Sequence, residues 1–164
     1  MLAMLLPIED PERALSLCDE AIEVGHRIGD PMAVAAAMQN KGAIAAQRSE
    51  WHTALHSSLN AAEQWLQLGS LTTIFWSCYT AGVALCGLGY YEPAAVLIGK
   101  ADALIPQRFG PDWMLDMLAS TDAALINALG EQHALTLAAR GAGLETTAVV
   151  AYLRTAADQP LPTP

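Results

Sequence analysis

Displaced against itself by forty positions, the chain matches in a single register, with Gly42 falling on Gly82. Ala14-Leu15 falls on Ala54-Leu55, then on Ala94-Ala95, then on Ala134-Leu135. Ala21, Ala61 and Ala101 share a column, with Gly141 next in it. Gly29-Asp30 falls on Gly69-Ser70, and Pro31 matches Pro111 two periods on. Small residues and turn residues recur together, which a bias in composition does not produce. A period of this size restricts the chain to stacked copies of one supersecondary unit, none of which buries its apolar face alone.

The breakers divide each unit into two helices. Asp30, Ser70 and Gly110 stand where a helix is about to start, and Pro31 and Pro111 suit a first turn. Gly29 and Gly69 suit the end of the helix before. Asp10-Pro11 is another cap-and-proline start. Leu15, Cys18 and Ile22, like Leu55, Leu59, Ala62 and Leu66, step by three or four, and no segment alternates as a half-buried strand does. The expected helices are 11–28, 31–47, 51–68, 71–88, 91–105, 111–128, 131–140 and 144–157. One all-α repeat domain is expected over 1–158, with 1–8 as the remnant of a preceding helix. A proline-rich tail or linker is expected over 159–164.

The small-residue columns resemble a tetratricopeptide-like helical hairpin repeat in a long variant. That family carries small residues at the eighth, twentieth and twenty-seventh positions of its unit. Here Gly42 and Gly82 match the first, and the pairs Ala54 with Ala61 and Ala94 with Ala101 match the others. The physical need is close helix approach, since a bulky side chain would hold paired helices beyond about 8–10 Å. Trp51 and Tyr91 match the aromatic that opens the second helix. Ser58 and Ile98 depart from the large residue expected between the small ones, and Asp122 stands where a third glycine belongs. The last unit is degenerate, as terminal units often are. The resemblance implies a right-handed superhelix of antiparallel helix hairpins, about seven to eight helices in all.

A second resemblance is narrower. Ala-Leu-Gly-Glu at 128–131, Ala138-Ala139-Arg140-Gly141, and Leu144-Glu145 with Ala148 look like the end of a helical-repeat region in large bacterial regulators. Glu92-Pro-Ala-Ala-Val-Leu-Ile-Gly99 followed by Ala101 does too. Those regulators, common in actinobacteria, join a signalling ATPase module, sometimes with an adenylate-cyclase-like domain, to such an array. Many end in a LuxR-type helix-turn-helix. No residues here match the ATP site or the DNA-reading helix, so the resemblance implies only a regulatory, protein-binding repeat segment.

Composition narrows the function classes. The 164 residues carry 8 Lys and Arg against 17 Asp and Glu, a net charge of −9. Such a chain does not hold a phosphate backbone through bulk charge, so no nucleic-acid partner is expected. Apolar residues make up 53% and charged residues 15%, with mean hydropathy +0.28, which excludes disorder and points to apolar surface meant for contact. Leu71–Tyr91 lies within an uncharged stretch long enough to cross a bilayer. Its glycines, threonines and serine, and its lack of Lys/Arg asymmetry at the ends, favour an interior helix instead. The apolar start is too short for a secretory signal and meets Pro7 at once. Cys18, Cys78 and Cys86, an odd set without CxxC spacing, read as reduced buried thiols in a cytoplasmic protein.

Reaction chemistry is sparse. There is no phosphate loop, and Gly87-Leu-Gly89 and Gly141-Ala-Gly143 fall short of a dinucleotide fingerprint. His52 and His56 share a helix face that a divalent metal could use, but no glutamate lies between them and the register turns both outward. His26 and His133 are isolated, and no serine sits in a G-x-S-x-G elbow. Asp19, Glu20 and Glu23 read as one solvated face. No catalytic residue, metal or cofactor is expected, and the chain reads as a non-enzyme.

The concave side is the remaining candidate. In a repeat array it is lined by the first helix of each unit. That register turns inward Gln39, Ala43 and Gln47, then Trp76, Tyr79 and Val83, then Asp116 and Asn127. Trp76 and Tyr79, three apart, form an aromatic platform for a peptide there, or else pack inside the array. No Lys/Arg cluster is available to clamp an acidic peptide terminus. The expected role is protein–protein contact with another protein, another domain of the same protein or a second copy. The alternative is a small-ligand or peptide sensor, and a metal-dependent enzyme ranks below both. If a first helix face of about 400 Å² is uncovered, about 10 kcal/mol of gross burial goes unrealised, and a homodimer through that face is expected.

Overall fold

The computed structural model describes residues 10–158 with the exception of Pro106. The described residues form eight α-helices and no strand. They are α1 (Pro11–Ile28), α2 (Pro31–Gln47), α3 (Trp51–Gln67), α4 (Ile74–Gly87), α5 (Tyr91–Leu104), α6 (Asp112–Leu129), α7 (Glu131–Ala142) and α8 (Thr146–Ala157). The expected remnant at 1–8 and the proline-rich tail at 159–164 lie outside the described residues.

Helix starts follow the capping chemistry where it is complete. The Asp10 and Asp30 carboxylates each accept a hydrogen bond at 3.0 Å, from the Arg13 and Ala33 amides, with Pro11 and Pro31 opening the helices. Each cap contributes about 1 kcal/mol. Ser70 does not start a helix. Its hydroxyl is 2.7 Å from that of Thr73, residues 71–73 form a turn, and α4 begins at Ile74. Pro111 precedes α6 in extended backbone instead of occupying its first turn. Gly29, Gly69, Gly89 and Gly130 close hairpins at positive φ, where a Cβ is disfavoured.

The first five helices stack as antiparallel neighbours, each on the one before. The repeat's small residues sit at these crossings. A Cβ on Gly42 would lie 3.3 Å from the Ala54 carbonyl oxygen, and one on Gly82 lies at the same distance from that of Ala94. Ala54, Ala61, Ala94 and Ala101 are all fully buried. The same glycine-to-carbonyl approach thus occurs at two positions forty residues apart. α4 is the interior helix, with every residue buried except Trp76 and Gly87. No helix among the described residues is long and apolar enough to cross a membrane.

The third unit is built differently. α7 packs mainly on α5, while α6 makes only smaller contacts with α4, α5 and α7. The α5–α7 crossing is set by two other glycines. A Cβ on Gly99 would meet the Ala138 carbonyl oxygen at 2.2 Å, and one on Gly141 would meet that of Val96 at 1.9 Å. Buried Lys100 donates to the Leu144 carbonyl just past the end of α7, where a cation suits the helix dipole. α8 then turns back onto α3, burying Val149, Val150, Leu153 and Ala156, and Arg154 pairs with Glu63 at 2.6 Å.

Candidate functional site

The proposed groove residues are not gathered on one open surface. Gln39 is buried, and its side-chain oxygen accepts a 2.8 Å hydrogen bond from the Trp65 indole. Tyr79 and Val83 are buried in the core. These three therefore line no open groove, because the α2 face carrying Gln39 and the α4 face carrying Tyr79 and Val83 are both covered by neighbouring helices. Gln47 and Trp76 are half-buried, and Asp116 and Asn127 are exposed on α6. Trp76 and Tyr79 do not form a shared platform. Trp76 packs edge-on against Phe109 at 5.4 Å, whereas Tyr79 turns inward and donates to Asp102 at 2.7 Å. His52 and His56 are both exposed on α3, the side the register assigned them.

A cleft of about 300 Å³ lies elsewhere, between α5, α6 and α7. Its apolar lining includes Ala95 and Ile98 from α5, Leu125 and Ile126 from α6, and Ala134, Leu135 and Ala138 from α7. It exists because α6 stands off while α5 and α7 close on each other. Asp122, in the third glycine's place, is among the residues lining this space. Ile126 and Leu135 remain 46% and 58% exposed, well above the usual range for such side chains in a core.

One end of the cleft is fastened by charge. Arg108, in the α5–α6 loop, donates from Nε and Nη2 to Asp102 at 2.7 and 2.8 Å. It also donates from Nη1 and Nη2 to Asp122 at 2.5 and 3.2 Å. Its guanidinium lies 5.7 Å from the centre of the Tyr79 ring. The side-chain hydrogen bond to Asp102 leads the causes that raise the Arg108 pKa, so its charge is permanent. Burial, then the hydrogen bond to Asp102, pushes the Tyr79 hydroxyl well above the ordinary phenol range. The loop is thus bolted to α5 and α6 by a two-carboxylate bridge, with Tyr79 beneath it.

The cleft lining contains no serine, cysteine, histidine or lysine to serve as nucleophile or shuttle. The three cysteines are buried and unpaired, and burial pushes the Cys78 thiol up to about 12. Among the described residues no group of three or more His, Cys, Asp or Glu comes together to hold a metal. Compared with known proteins, the chain matches no family model, no curated protein and no solved structure.

The sequence reading missed Asp102 and Arg108, which lie in different elements and carry no recognisable spacing. It did single out Asp122 as a departure from the repeat, and that departure marks the cleft.

Proposed function

We propose that this chain is a non-catalytic helical-repeat module that works by protein–protein contact, similar in role to the tetratricopeptide-like arrays of large bacterial transcriptional regulators. One observation carries the reading. The repeat's glycine–alanine crossing occurs twice, at Gly42 with Ala54 and Gly82 with Ala94, and gives way to an open apolar cleft where the third glycine is Asp122. A scaffold of repeats ending in a concave surface with exposed Ile126 and Leu135 suits a macromolecular contact.

The test compares the chain with its Leu135→Asp variant as baits in lysate of the source cells. The expected result is a discrete protein held by the wild type and lost by the variant. A metabolite that raises the melting temperature by mass action, with no protein retained, overturns the reading in favour of a small-ligand sensor. An ATPase module or a helix-turn-helix encoded beside or in frame with the chain supports the link to regulators, and neighbours of unrelated chemistry count against it. The proposal includes a second copy on the α1–α2 end, where Leu17, Ile28 and Met32 are exposed. Light scattering that finds only monomer at micromolar concentration removes that part.

A further inference from the structure

We propose that the α5–α6–α7 cleft takes a basic amphipathic segment of a partner protein. One large apolar side chain enters between Ile126 and Leu135, and a lysine or arginine one turn away meets Glu131 and the outer edge of Asp122. This rests on the reading of the chain as a protein-contact module and adds the chemistry of the partner.

Size argues for a side-chain anchor. A cleft of about 300 Å³ stands at the lower end of ligand-pocket volumes and suits an anchor of the kind that dominates protein interfaces. Alanines at 134 and 138 leave the room, and the exposed Ile126 and Leu135 supply apolar contact at the mouth. Charge argues for the sign of the partner. The charged residues lining the cleft are Asp102, Asp122, Glu131 and Arg108. Arg108 spends its donors on the two aspartates, so it offers little to an anion. Glu131 has no ion pair among the described residues, and the mouth carries a net negative charge. The chain's overall charge of −9 steers basic partners and repels acidic ones.

The probe is a fluorescein-labelled peptide with leucines along one helical face and lysines on its flanks, set against the same peptide with glutamates for lysines. Anisotropy with the full chain at low salt reads the affinity. The lysine peptide is expected to bind about tenfold or more tightly than the glutamate peptide. Leu135→Asp and, on the facing wall, Ile126→Asp each weaken it about tenfold, even though each adds a negative charge. Glu131→Lys weakens the lysine peptide about fivefold and improves the glutamate peptide. All three positions are exposed, and circular dichroism checks that the variants stay folded.

Failure to bind the lysine peptide, equal binding of both peptides, or tighter binding to Leu135→Asp, as diffuse attraction would give, overturns the proposal. A partner lost from Leu135→Asp but unaffected by Glu131→Lys overturns this partner chemistry while leaving the protein-contact reading intact.

Discussion

The second hairpin and the third unit start from aligned sequence and end in different packing. In the second, Gly82 lets α4 lie against α5, and the pair is closed. In the third, Asp122 occupies the aligned place, and its carboxylate is drawn to Arg108 at the edge of a cleft. α7 satisfies its own small-residue column by moving onto α5 through Gly99 and Gly141. A column of small residues therefore specifies that a close crossing will form, but not which helix will be the partner. Where Asp122 stands in the column the close crossing is absent, and its carboxylate, which must keep either water or a cation, is paired with Arg108.

The largest effect that would break this comparison is expected at the redirected crossing. Gly141→Ala sets a Cβ against the Val96 backbone, which cannot rotate away. Urea titration should show a loss of about 3 kcal/mol despite the better helix propensity of alanine. A neutral result would mean that the α5–α7 crossing is not the tight one. Asp122→Gly restores the repeat residue and removes one arm of the Arg108 bridge. A loss of about 1 kcal/mol is expected, from helix propensity and ion pairing together. A gain in stability would mean instead that α6 closes onto α7 once the charge is gone.

Tyr79→Phe deletes the hydrogen bond to Asp102 and should cost about 1 kcal/mol at neutral pH. The folded-state pKa of Tyr79 is raised, so its contribution is fully present below the unfolded phenol value of about 10 and is lost as pH rises through the folded value. Wild type should thus lose stability in alkali faster than the variant, and parallel melting curves would assign the burial of Tyr79 no role in the bridge. Gly82→Ala is the mildest change. Its Cβ meets the Ile98 side chain at 2.8 Å, which borders the cleft and has room to give, while the Ala94 carbonyl oxygen lies 3.3 Å away, tight but short of a clash. A net loss under about 1 kcal/mol, well below that of Gly141→Ala, sharpens the contrast between a yielding contact and a rigid one.

Local chemistry was readable wherever it was complete. Asp10-Pro11 and Asp30-Pro31 each carry both a cap and a proline, and both helices begin as read. Ser70 has no such proline, and its hydroxyl is taken up by the Thr73 side chain, so α4 starts later than the apolar pattern suggests. The uncharged α4 was placed correctly as an interior helix because no charged side chain along it needs water. The candidate site was far less legible. Helical spacing tells which residues share a face, but whether that face is open depends on neighbours distant in the chain. Gln39 and Tyr79 both found buried partners that way, in Trp65 and Asp102.

By itself, the sequence determined the all-helical class and most of the helix breaks, since these rest on caps, φ values and side-chain volume within a few turns. The tertiary structure alone decided that α7 would choose α5, that α8 would return to α3, and that Arg108 would span Asp102 and Asp122. Those outcomes come from competition among surfaces remote in the chain. In this fold that competition buries the apolar faces of α7 and α8 and pairs the two half-buried carboxylates, Asp102 and Asp122, with Arg108.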